Sequence, residues 1–461
     1  MAALSRALPL LVCALVAAGL RAGVLFQTDL AYGYDGWYYV IQTESWAVGQ
    51  PVFADRSLLF LLTAPLSLLS GAILGNKLVA CGAAALMASG GALAGRRWLD
   101  PRAGWVVGLC LAASPLLLGM SVEYLKNALG LALLPWVLAL WAGARWERVL
   151  AGVLLLLGLF VHKLSGVMGL LMLPGLLLGG ARLPRWVWGL GALAGLAALS
   201  WGVLRPEDLQ RLTGIQDGIP RFPALLGERL GGPEQLELTL MHLLPPGLLA
   251  ILRTREDRLP ARALALALLP LSLLCLAPGL PFGWDLTAWR LMLVGGLPLA
   301  FGVGLLSANW PLSAGVLSAI TLVGGGLTAA ALPERAPDYE AFAPALARIQ
   351  ARAQPGDRVV AHRGICGQIQ AQTGIVCENF KPQDPQGGWL RVAYGVRAQE
   401  LQAVDPTAEH LVGPYVLLSE AGWQAWVVGP GVDRALARHP RNPYRPRPDF
   451  VYGPPPDPES P

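Results

Sequence analysis

The sequence predicts a polytopic α-helical membrane protein with about eleven transmembrane helices, followed by a small C-terminal α/β domain. Three observations support this fold class. Hydrophobic residues make up 54% of the 461 residues and charged residues only 14%, whereas soluble globular proteins carry about 25% charged residues. The mean hydropathy is +0.50. Apolar runs long enough to cross a bilayer recur up to about residue 332, after which the composition becomes polar.

The apolar runs alternate with loops that differ in arginine content. The runs lie near residues 4–25, 57–75, 78–95, 103–120, 126–144, 149–162, 164–181, 186–204, 236–252, 262–280, 290–307 and 310–332. Eleven arginines lie in four short loops, at 96–102, 145–148, 182–185 and 253–262. Such loops stay cytoplasmic, so these four are predicted to be inside. The longer loop 205–235 adds four arginines on the other side, which weakens the contrast without reversing it.

This topology requires that one of the first three runs does not cross the membrane. The run 57–75 contains Pro65 and Gly71 and follows an acidic loop. We interpret it as an interfacial or re-entrant juxtamembrane helix within the first outer loop. The remaining eleven runs are predicted to span, without charges at mid-depth, and the C-terminus is predicted to be external. A cleaved signal peptide is the alternative interpretation of residues 1–23.

The polar C-terminal part divides into two predicted regions. Residues 333–440 form the small external α/β domain: an amphipathic helix at 338–354 is followed by short strands in the segments DRVVAH, GIVCENF, PYVLLSE and QAWVVGPG. The segment AHRGICG is interpreted as a glycine-rich turn without the spacing of a phosphate loop. Residues 441–461 form a proline-rich tail that is predicted to be disordered.

The six cysteines fall into two groups. Four of them lie inside apolar runs and are interpreted as small core hydrophobes: Cys13, Cys81, Cys110 and Cys275. Cys366 and Cys377 lie in the external domain, where they form either a disulfide or two buried thiols; an oxidising compartment would maintain the disulfide.

The first predicted outer loop contains the octet YGYDGWYY, with Asp35 surrounded by aromatic residues that include Trp37 and Tyr39. A carboxylate at this position can serve as a general base or as a metal ligand. The aromatic rings can stack on sugar rings. The alternative is an aromatic belt at the level of the lipid headgroups with a solvated acid.

A second acid, Glu123, lies in the next outer connection, with Lys126 about one helical turn further on. One interpretation is an ordinary ion pair on a helix surface. The other is a second carboxylate that faces Asp35 across an outer cavity, with Lys126 near an anionic ligand, because acids at membrane level are costly and tend to be functional.

Further cationic candidates lie at the outer ends of other spans. His162 and Lys163 interrupt an apolar stretch, and Arg290 begins the run 290–307, close to Trp284 and Asp285. These side chains can bind the phosphate of a lipid, or they can be interfacial residues and a surface ion pair. Weaker candidates of the same kind are Arg56 and Lys77.

Several function classes are not supported by the sequence. It contains no Walker loop, no dinucleotide-binding glycine pattern, no H-E-x-x-H and no nucleophile elbow. The lack of a nucleotide-phosphate motif argues against an ATP-driven pump and against a soluble sugar-nucleotide donor. The net charge of +5 does not indicate binding of nucleic acid, because arginines in loops are topology signals.

The first outer loop, DGWYYVIQTESWAVGQPVFADRSLL, together with the juxtamembrane helix and the acid in the second outer loop, resembles the GT-C superfamily of glycosyltransferases. That superfamily includes protein O-mannosyltransferases, aminoarabinose transferases and oligosaccharyltransferase subunits. The resemblance covers residues 1–332 in architecture. It implies an enzyme of a bacterial-type inner membrane that transfers a sugar from a polyprenyl-phosphate carrier to a lipid, glycan or protein acceptor on the extracytoplasmic face.

The resemblance also implies roles for the candidate residues. Asp35 would be the catalytic carboxylate of the first loop and Glu123 the acid of the second loop, with a divalent cation, Mg²⁺ or Mn²⁺, between them if the enzyme uses one. Lys126, His162, Lys163 and Arg290 would bind the carrier phosphate. Two other functions stay open: a transporter or flippase of a lipid-linked saccharide, which predicts polar residues near the bilayer midplane, and a non-catalytic assembly protein.

Overall fold

The structure is a computed structural model. It describes residues 2–33, 35–52, 55–178, 232–252, 259–276, 285–307, 310–335, 339–361, 363–378, 388–394, 409–412 and 415–419. The predicted run 186–204, the arginine-rich loop 182–185, most of loop 205–235, the strand QAWVVGPG and the proline-rich tail lie outside the described residues.

The described part of the chain is mostly helical. Its helices are α1 (Ala2–Leu25), α2 (Gly36–Ala47), α3 (Leu59–Ser70), α4 (Ala72–Trp98), α5 (Pro101–Ala113), α6 (Pro115–Glu123), α7 (Leu125–Trp141), α8 (Arg145–Val161), α9 (Lys163–Leu178), α10 (Gly232–Leu252), α11 (Leu259–Leu276), α12 (Asp285–Val294), α13 (Gly296–Ser307), α14 (Pro311–Arg335), α15 (Tyr339–Arg352) and α16 (Arg363–Thr373).

Six segments among the described residues are long and apolar enough to cross a membrane: Ala7–Leu25, Ala72–Trp98, Gly232–Leu252, Leu259–Leu276, Arg290–Ser307 and Pro311–Pro333. The bent pair α5–α6 makes a seventh if it counts as one span, and α3, α7 and α9 are shorter apolar helices. The protein is therefore a multi-pass membrane protein. The number of about eleven spans stays a prediction.

The predicted boundary between the runs 57–75 and 78–95 is wrong. The chain breaks at Gly71, whose φ of 81° and ψ of 154° favour glycine, and Ala72 already belongs to α4. The preceding helix α3 has 12 residues and a length of about 18 Å. This is short of the hydrocarbon thickness of about 30 Å, so α3 alone does not cross the bilayer.

The run 103–120, predicted as one span, is divided into α5 and α6, which are bent by 50°. The break lies at Ser114, where ψ is 119°. Pro115 follows as the first residue of α6; it has no backbone N–H to continue the hydrogen bonding of α5, and it is favoured at a helix start.

Two helices carry buried charged side chains near one of their ends, and the expected absence of charge at mid-depth stays a prediction. Arg21 in α1 is 1% exposed, and Glu234 and Glu237 in α10 are 4% and 6% exposed. Arg21 and Glu237 make hydrogen bonds to the helices that meet at the Ser114 break.

The chain forms two compact units. The first comprises residues 1–27 and 43–333, and the second comprises residues 28–42 and 334–461. Cys13, Cys81, Cys110 and Cys275 are buried free thiols in the first unit, as predicted. In this unit α4 packs against α1, α5 and α7.

The second unit contains a five-stranded sheet of order β2-β1-β3-β5-β4. Its strands are β1 (Arg358–Val360), β2 (Cys377–Glu378), β3 (Trp389–Tyr394), β4 (Glu409–Val412) and β5 (Tyr415–Ser419). β1 pairs in parallel with β2 and β3, and β5 pairs antiparallel with β3 and β4. The sequence predicted β1, β2 and β5 but not β3 or β4.

Two helices complete the core of the second unit. Phe342 and Ile349 of α15 and Ile365 and Ile369 of α16 pack with Val359 of β1. The predicted glycine-rich turn AHRGICG is wrong, because residues from Arg363 onward form α16. A disulfide joins Cys366 on α16 to Cys377 on β2, with a Cα–Cα distance of 5.3 Å, so the disulfide interpretation of this cysteine pair is confirmed.

Candidate functional site

In the first unit, two helix breaks place the candidate cations at helix ends. Tyr124 separates α6 from α7 with φ of −126° and ψ of 70°, so Glu123 is the last residue of α6 and Lys126 the second of α7. His162 separates α8 from α9 in an extended conformation, so Lys163 begins α9. A lysine at a helix N-terminus adds positive charge to the positive end of the helix dipole, which favours an anion nearby.

Lys126 forms an ion pair with Asp55 at the end of the first loop. The Lys126 side chain is 19% exposed and that of Asp55 is 24% exposed. The loop is held in this place by Ser57, whose Oγ donates to the carbonyl of Val161 at 2.6 Å. The Leu58 N–H donates to the carbonyl of Phe160 at 3.2 Å. The end of the first loop is therefore fixed beside both helix breaks.

Arg290 on α12 joins the same group. Its guanidinium lies over the ring of Tyr124, 4.6 Å from the ring centroid. A cation in this position is attracted by the negative face of the ring. The contact holds the guanidinium beside Tyr124, the residue at the α6–α7 break. In the sequence, Tyr124 lies between Glu123 and Lys126.

His162 lies in the connection between α8 and α9, close enough to these cations for their charges to act on its ring. Burial lowers its pKa well below the ordinary value, and the positive charges of Lys126, Arg290 and Lys163 lower the pKa further. The ring is therefore neutral at pH 7. Its Nδ1 accepts a hydrogen bond from the Leu164 N–H at 3.2 Å, so the proton of the neutral ring resides on Nε2, which can donate to a ligand.

The structure thus brings together four of the residues predicted for phosphate binding, Lys126, His162, Lys163 and Arg290. We call these four residues the cationic cluster. Three of them carry a formal positive charge, and Asp55 pairs directly with one. Such a concentration of cations at helix ends attracts anions, and phosphate is the anion for which lysine and arginine together are suited.

The other predicted site residues take different positions. Asp35 belongs to the second unit, is 7% exposed and precedes the first residue of α2. Trp37 is 3% exposed and packs edge-to-face against Tyr339, with ring centroids 6.0 Å apart. Tyr39 is 5% exposed and its N–H donates to the Asp35 carbonyl at 3.1 Å. Burial of both rings means that they contribute to packing in this structure.

The remaining candidates lie in the first unit. Glu123 is partly buried and Arg56 is exposed beside Asp55. Lys77 is buried with its ammonium 5.6 Å from the ring centroid of Phe26. Trp284 lies outside the described residues. Because Asp35 and Glu123 belong to different units, a shared pocket for these two acids stays a prediction.

Among the described residues, no three His, Cys, Asp or Glu side chains come together as a metal site. A resident Mg²⁺ or Mn²⁺ therefore stays a prediction, and no step of the proposed reaction is assigned to a metal.

Two residues of the site were not chosen from the sequence. These are Asp55 and Tyr124. The position of Asp55 directly before Arg56 and the juxtamembrane helix was a usable signal. Its partner Lys126, however, is 71 residues away, and a pairing over this distance is set by tertiary structure.

No protein-family model matches the sequence, and no curated protein matches it. Solved structures match its fold. ArnT from Cupriavidus metallidurans in the apo state has a TM-score of 0.55 and 16% identity, and the match covers 91% of this chain and 98% of that chain. The same protein bound to undecaprenyl phosphate has a TM-score of 0.53 and 15% identity, covering 89% of this chain and 97% of that chain.

The oligosaccharyltransferase of Archaeoglobus fulgidus in complex with Zn and sulfate has a TM-score of 0.51 and 14% identity. The match covers 80% of this chain and 62% of that chain. ArnT and the archaeal protein are both GT-C glycosyltransferases. The resemblance to the GT-C superfamily is therefore confirmed at the level of the fold.

Proposed function

We propose that this protein is a GT-C-type glycosyltransferase that transfers a sugar from a polyprenyl-phosphate carrier to an acceptor on the extracytoplasmic face. The observation that carries the proposal is the cationic cluster, which stands at helix ends in a chain with the GT-C fold. A protein of similar fold, ArnT, has been crystallised with undecaprenyl phosphate, and a lipid phosphate is an anion that such a cluster suits.

The proposed reaction is a displacement at the anomeric carbon of the donor sugar. The bond between the acceptor oxygen or nitrogen and the anomeric carbon forms, and the bond between that carbon and the phosphate oxygen breaks. Polyprenyl phosphate leaves with the electron pair and gains one negative charge. Lys126, Lys163 and Arg290 stabilise this developing charge, while Nε2–H of the neutral His162 donates a hydrogen bond to a phosphate oxygen.

The acceptor proton needs a base, and we assign this role to Asp35. The carboxylate precedes α2, where a helix N-terminus favours the anion, and lies within the loop segment that resembles the GT-C motif. Glu123 directly precedes Tyr124 in the chain. We assign to it the role of orienting the acceptor or the base. Participation of a Mg²⁺ or Mn²⁺ ion stays an alternative form of this proposal.

The membrane arrangement proposed for this activity follows the arginine distribution. About eleven spans, an internal N-terminus, α3 as a juxtamembrane helix and an external C-terminal α/β domain place the cationic cluster on the extracytoplasmic side. A bacterial-type inner membrane is the proposed location. The disulfide between Cys366 and Cys377 supports an oxidising environment for the second unit.

A transporter or flippase for a lipid-linked saccharide is the second candidate, and one observation favours it. Arg21 and Glu237 are buried polar groups inside apolar helices, and transport proteins place such groups along their substrate path. Both side chains are engaged in capping helix ends, which supplies a structural reason for their presence and leaves the transferase as the better-supported function.

The test of the proposal is sugar transfer in membranes that contain the protein and radiolabelled polyprenyl-phosphate sugars. The wild type is expected to release labelled sugar from the lipid fraction, and Asp35→Asn to abolish transfer while Asp29→Asn, in the same loop and exposed, retains it. Equal transfer by wild type and Asp35→Asn would remove the assigned base. Movement of intact lipid-linked sugar across vesicles without glycosidic cleavage would support the transporter.

A further inference from the structure

At the Ser114 break, the C-terminus of α5 and the N-terminus of α6 each make a hydrogen bond to a side chain of another helix, Arg21 and Glu237 respectively. We propose that Arg21 and Glu237 are positioning residues, which cap the two helix ends at the Ser114 break and so orient α6, the helix that ends in Glu123 and leads to Lys126. The relevance of this orientation for sugar transfer rests on the proposed function. The capping itself rests on the hydrogen bonds that the two side chains make.

Arg21 binds both halves of the span at once. Its side chain is 1% exposed. Its Nη1 donates to the carbonyl of Ala112, and its Nε donates to Ser121 Oγ at 2.9 Å. Ala112 lies in the last turn of α5, where carbonyls have no partner within the helix. A cation at a helix C-terminus is also favoured by the helix dipole, so Arg21 stabilises the end of α5 in two ways.

Glu237 acts on the other side of the break. Its side chain is 6% exposed, and its Oε2 accepts a hydrogen bond from the Leu116 N–H at 2.8 Å. Leu116 is the second residue of α6, where backbone N–H groups lack a partner within the helix. Ser114 Oγ accepts from the neighbouring Leu117 N–H at 3.1 Å. The Glu237 carboxyl group thus lies at the positive end of α6, and the Arg21 guanidinium lies at the negative end of α5.

Two further helices approach the break closely through glycines. A Cβ at Gly325 of α14 would clash with the carbonyl of Ala113, and a Cβ at Gly296 of α13 would clash with Ser114 Oγ. The break is therefore enclosed by α1, α10, α13 and α14. Side-chain caps from two of these helices and glycines from the other two leave α6 little freedom to change its angle.

The angle of α6 at the break determines the position of Glu123, because Glu123 is the residue at the far end of this helix. α6 has nine residues and is about 14 Å long. A rotation of only about 4° at the break would move Glu123 by about 1 Å, and a displacement of this size can cost about a hundredfold in rate. The same helix end carries Tyr124, over which Arg290 lies.

The experiment combines a structural readout with a kinetic one. Gly119 of α6 faces Leu293 of α12, since a Cβ at Gly119 would lie 3.7 Å from Leu293 Cδ2. The pair Gly119→Cys and Leu293→Cys, oxidised with iodine in membranes, therefore reports the spacing between α6 and α12. The parent without the introduced pair shows the background from native thiols, which are buried. Sugar transfer is measured in the same backgrounds without the reporter cysteines.

The variants are graded. Arg21→Leu and Glu237→Leu remove the caps, whereas Arg21→Lys keeps the charge with fewer donors and Glu237→Gln keeps an acceptor without the charge. The matched control is Arg97→Leu. Arg97 also donates to a helix carbonyl, that of Ala139 at 2.9 Å, and pairs with Glu147 at 2.7 Å, but at the opposite end of α7 from Lys126.

With the reporter cysteines present, we expect the leucine variants to cross-link more slowly than the protein that has both caps. Without the reporter cysteines, we expect them to lose up to about a hundredfold in kcat/KM for sugar transfer. The lysine and glutamine variants should lose less of both, and Arg97→Leu should cross-link and transfer like the parent. If the leucine variants do not accumulate in membranes, the lysine and glutamine variants test the positioning role. They should then show smaller losses in cross-linking rate and in kcat/KM.

Unchanged cross-linking in all four variants would overturn the positioning role. Slower cross-linking with unaltered kcat/KM would overturn its link to the site. Slower cross-linking in a protein whose parent transfers no sugar would instead reject the proposed function, while the capping of the α5–α6 break would stand.

Discussion

The carboxylate of Asp55 accepts a hydrogen bond from the ammonium of Lys126, 71 residues further along the chain. This ion pair joins the end of the first loop to the start of α7. It also compensates one of the positive charges that surround His162. Lys163 and Arg290 add two further cations that act on His162.

The Asp55–Lys126 pair is expected to be energetically coupled. Asp55→Asn and Lys126→Gln each remove one partner, so the loss of stability in the double variant should be smaller than the sum of the single losses. The expected coupling energy is about 1 kcal/mol, as for a partly exposed ion pair. Thermal unfolding of the wild type, the two single variants and the double variant in detergent measures the coupling energy. Asp55→Asn combined with Arg102→Gln, an exposed arginine on α5, serves as the control and should be additive.

The lowered pKa of His162 predicts a pH dependence of stability. Because the folded protein binds a proton at His162 less readily than the unfolded chain, the unfolded state takes up the proton first as the pH falls below about 6.5. Acidification from pH 7 to pH 5 should therefore destabilise the wild type more than His162→Asn, whose amide oxygen can still accept from the Leu164 N–H. Thermal unfolding at both pH values checks this, and equal shifts in the two proteins would refute it.

Adjacent glycines in α14 are expected to differ sharply. A Cβ at Gly325 would clash with the carbonyl of Ala113, whereas one at Gly326 would meet nothing within 4 Å. Gly325→Ala should lower the unfolding temperature, because backbone at the helix break must move. Gly326→Ala should leave it unchanged or raise it, since alanine is favoured over glycine in helices by about 1 kcal/mol. Comparable unfolding temperatures for the two variants would contradict the packing at the break.

The disulfide between Cys366 and Cys377 is expected to stabilise the second unit. It closes a loop with a sequence separation of 11 residues, for which the chain-entropy model gives about 3 kcal/mol. The double variant Cys366→Ser/Cys377→Ser should be cleaved faster by trypsin in the second unit than the wild type under non-reducing conditions. Dithiothreitol should accelerate cleavage of the wild type only; an identical acceleration in the double variant would point to another cause.

The sequence was informative where local pattern decides the structure. Apolar runs located most described helices, and the assignment of basic loops to one side left Lys126, His162, Lys163 and Arg290 on the other. The structure places these four residues together. The resemblance to GT-C enzymes, drawn from the first loop and the acid in the second, agreed with the fold found by structural comparison.

Contacts between residues that are distant in the sequence were not predicted. The apolar composition of the run 103–120 concealed the break that Ser114 and Pro115 produce. Arg21 lies within an apolar segment, and only the folded chain shows that its charge serves the freed carbonyl of Ala112. Glu237 likewise finds its backbone partner 121 residues away. Such long-range contacts depend on helix packing, which hydropathy and spacing do not specify.

The most direct test of the account is the binding of ³²P-labelled polyprenyl phosphate to the purified protein at pH 7. Wild type and Arg102→Gln are predicted to bind it equally, and Lys126→Gln and Arg290→Gln at least about tenfold more weakly, because each loses a charge-assisted contact worth about 1.5–3 kcal/mol. Unlabelled polyprenol, which lacks the phosphate, should not compete. Equal affinity of all four proteins, or full competition by polyprenol, would contradict the assignment of the cationic cluster to the lipid phosphate.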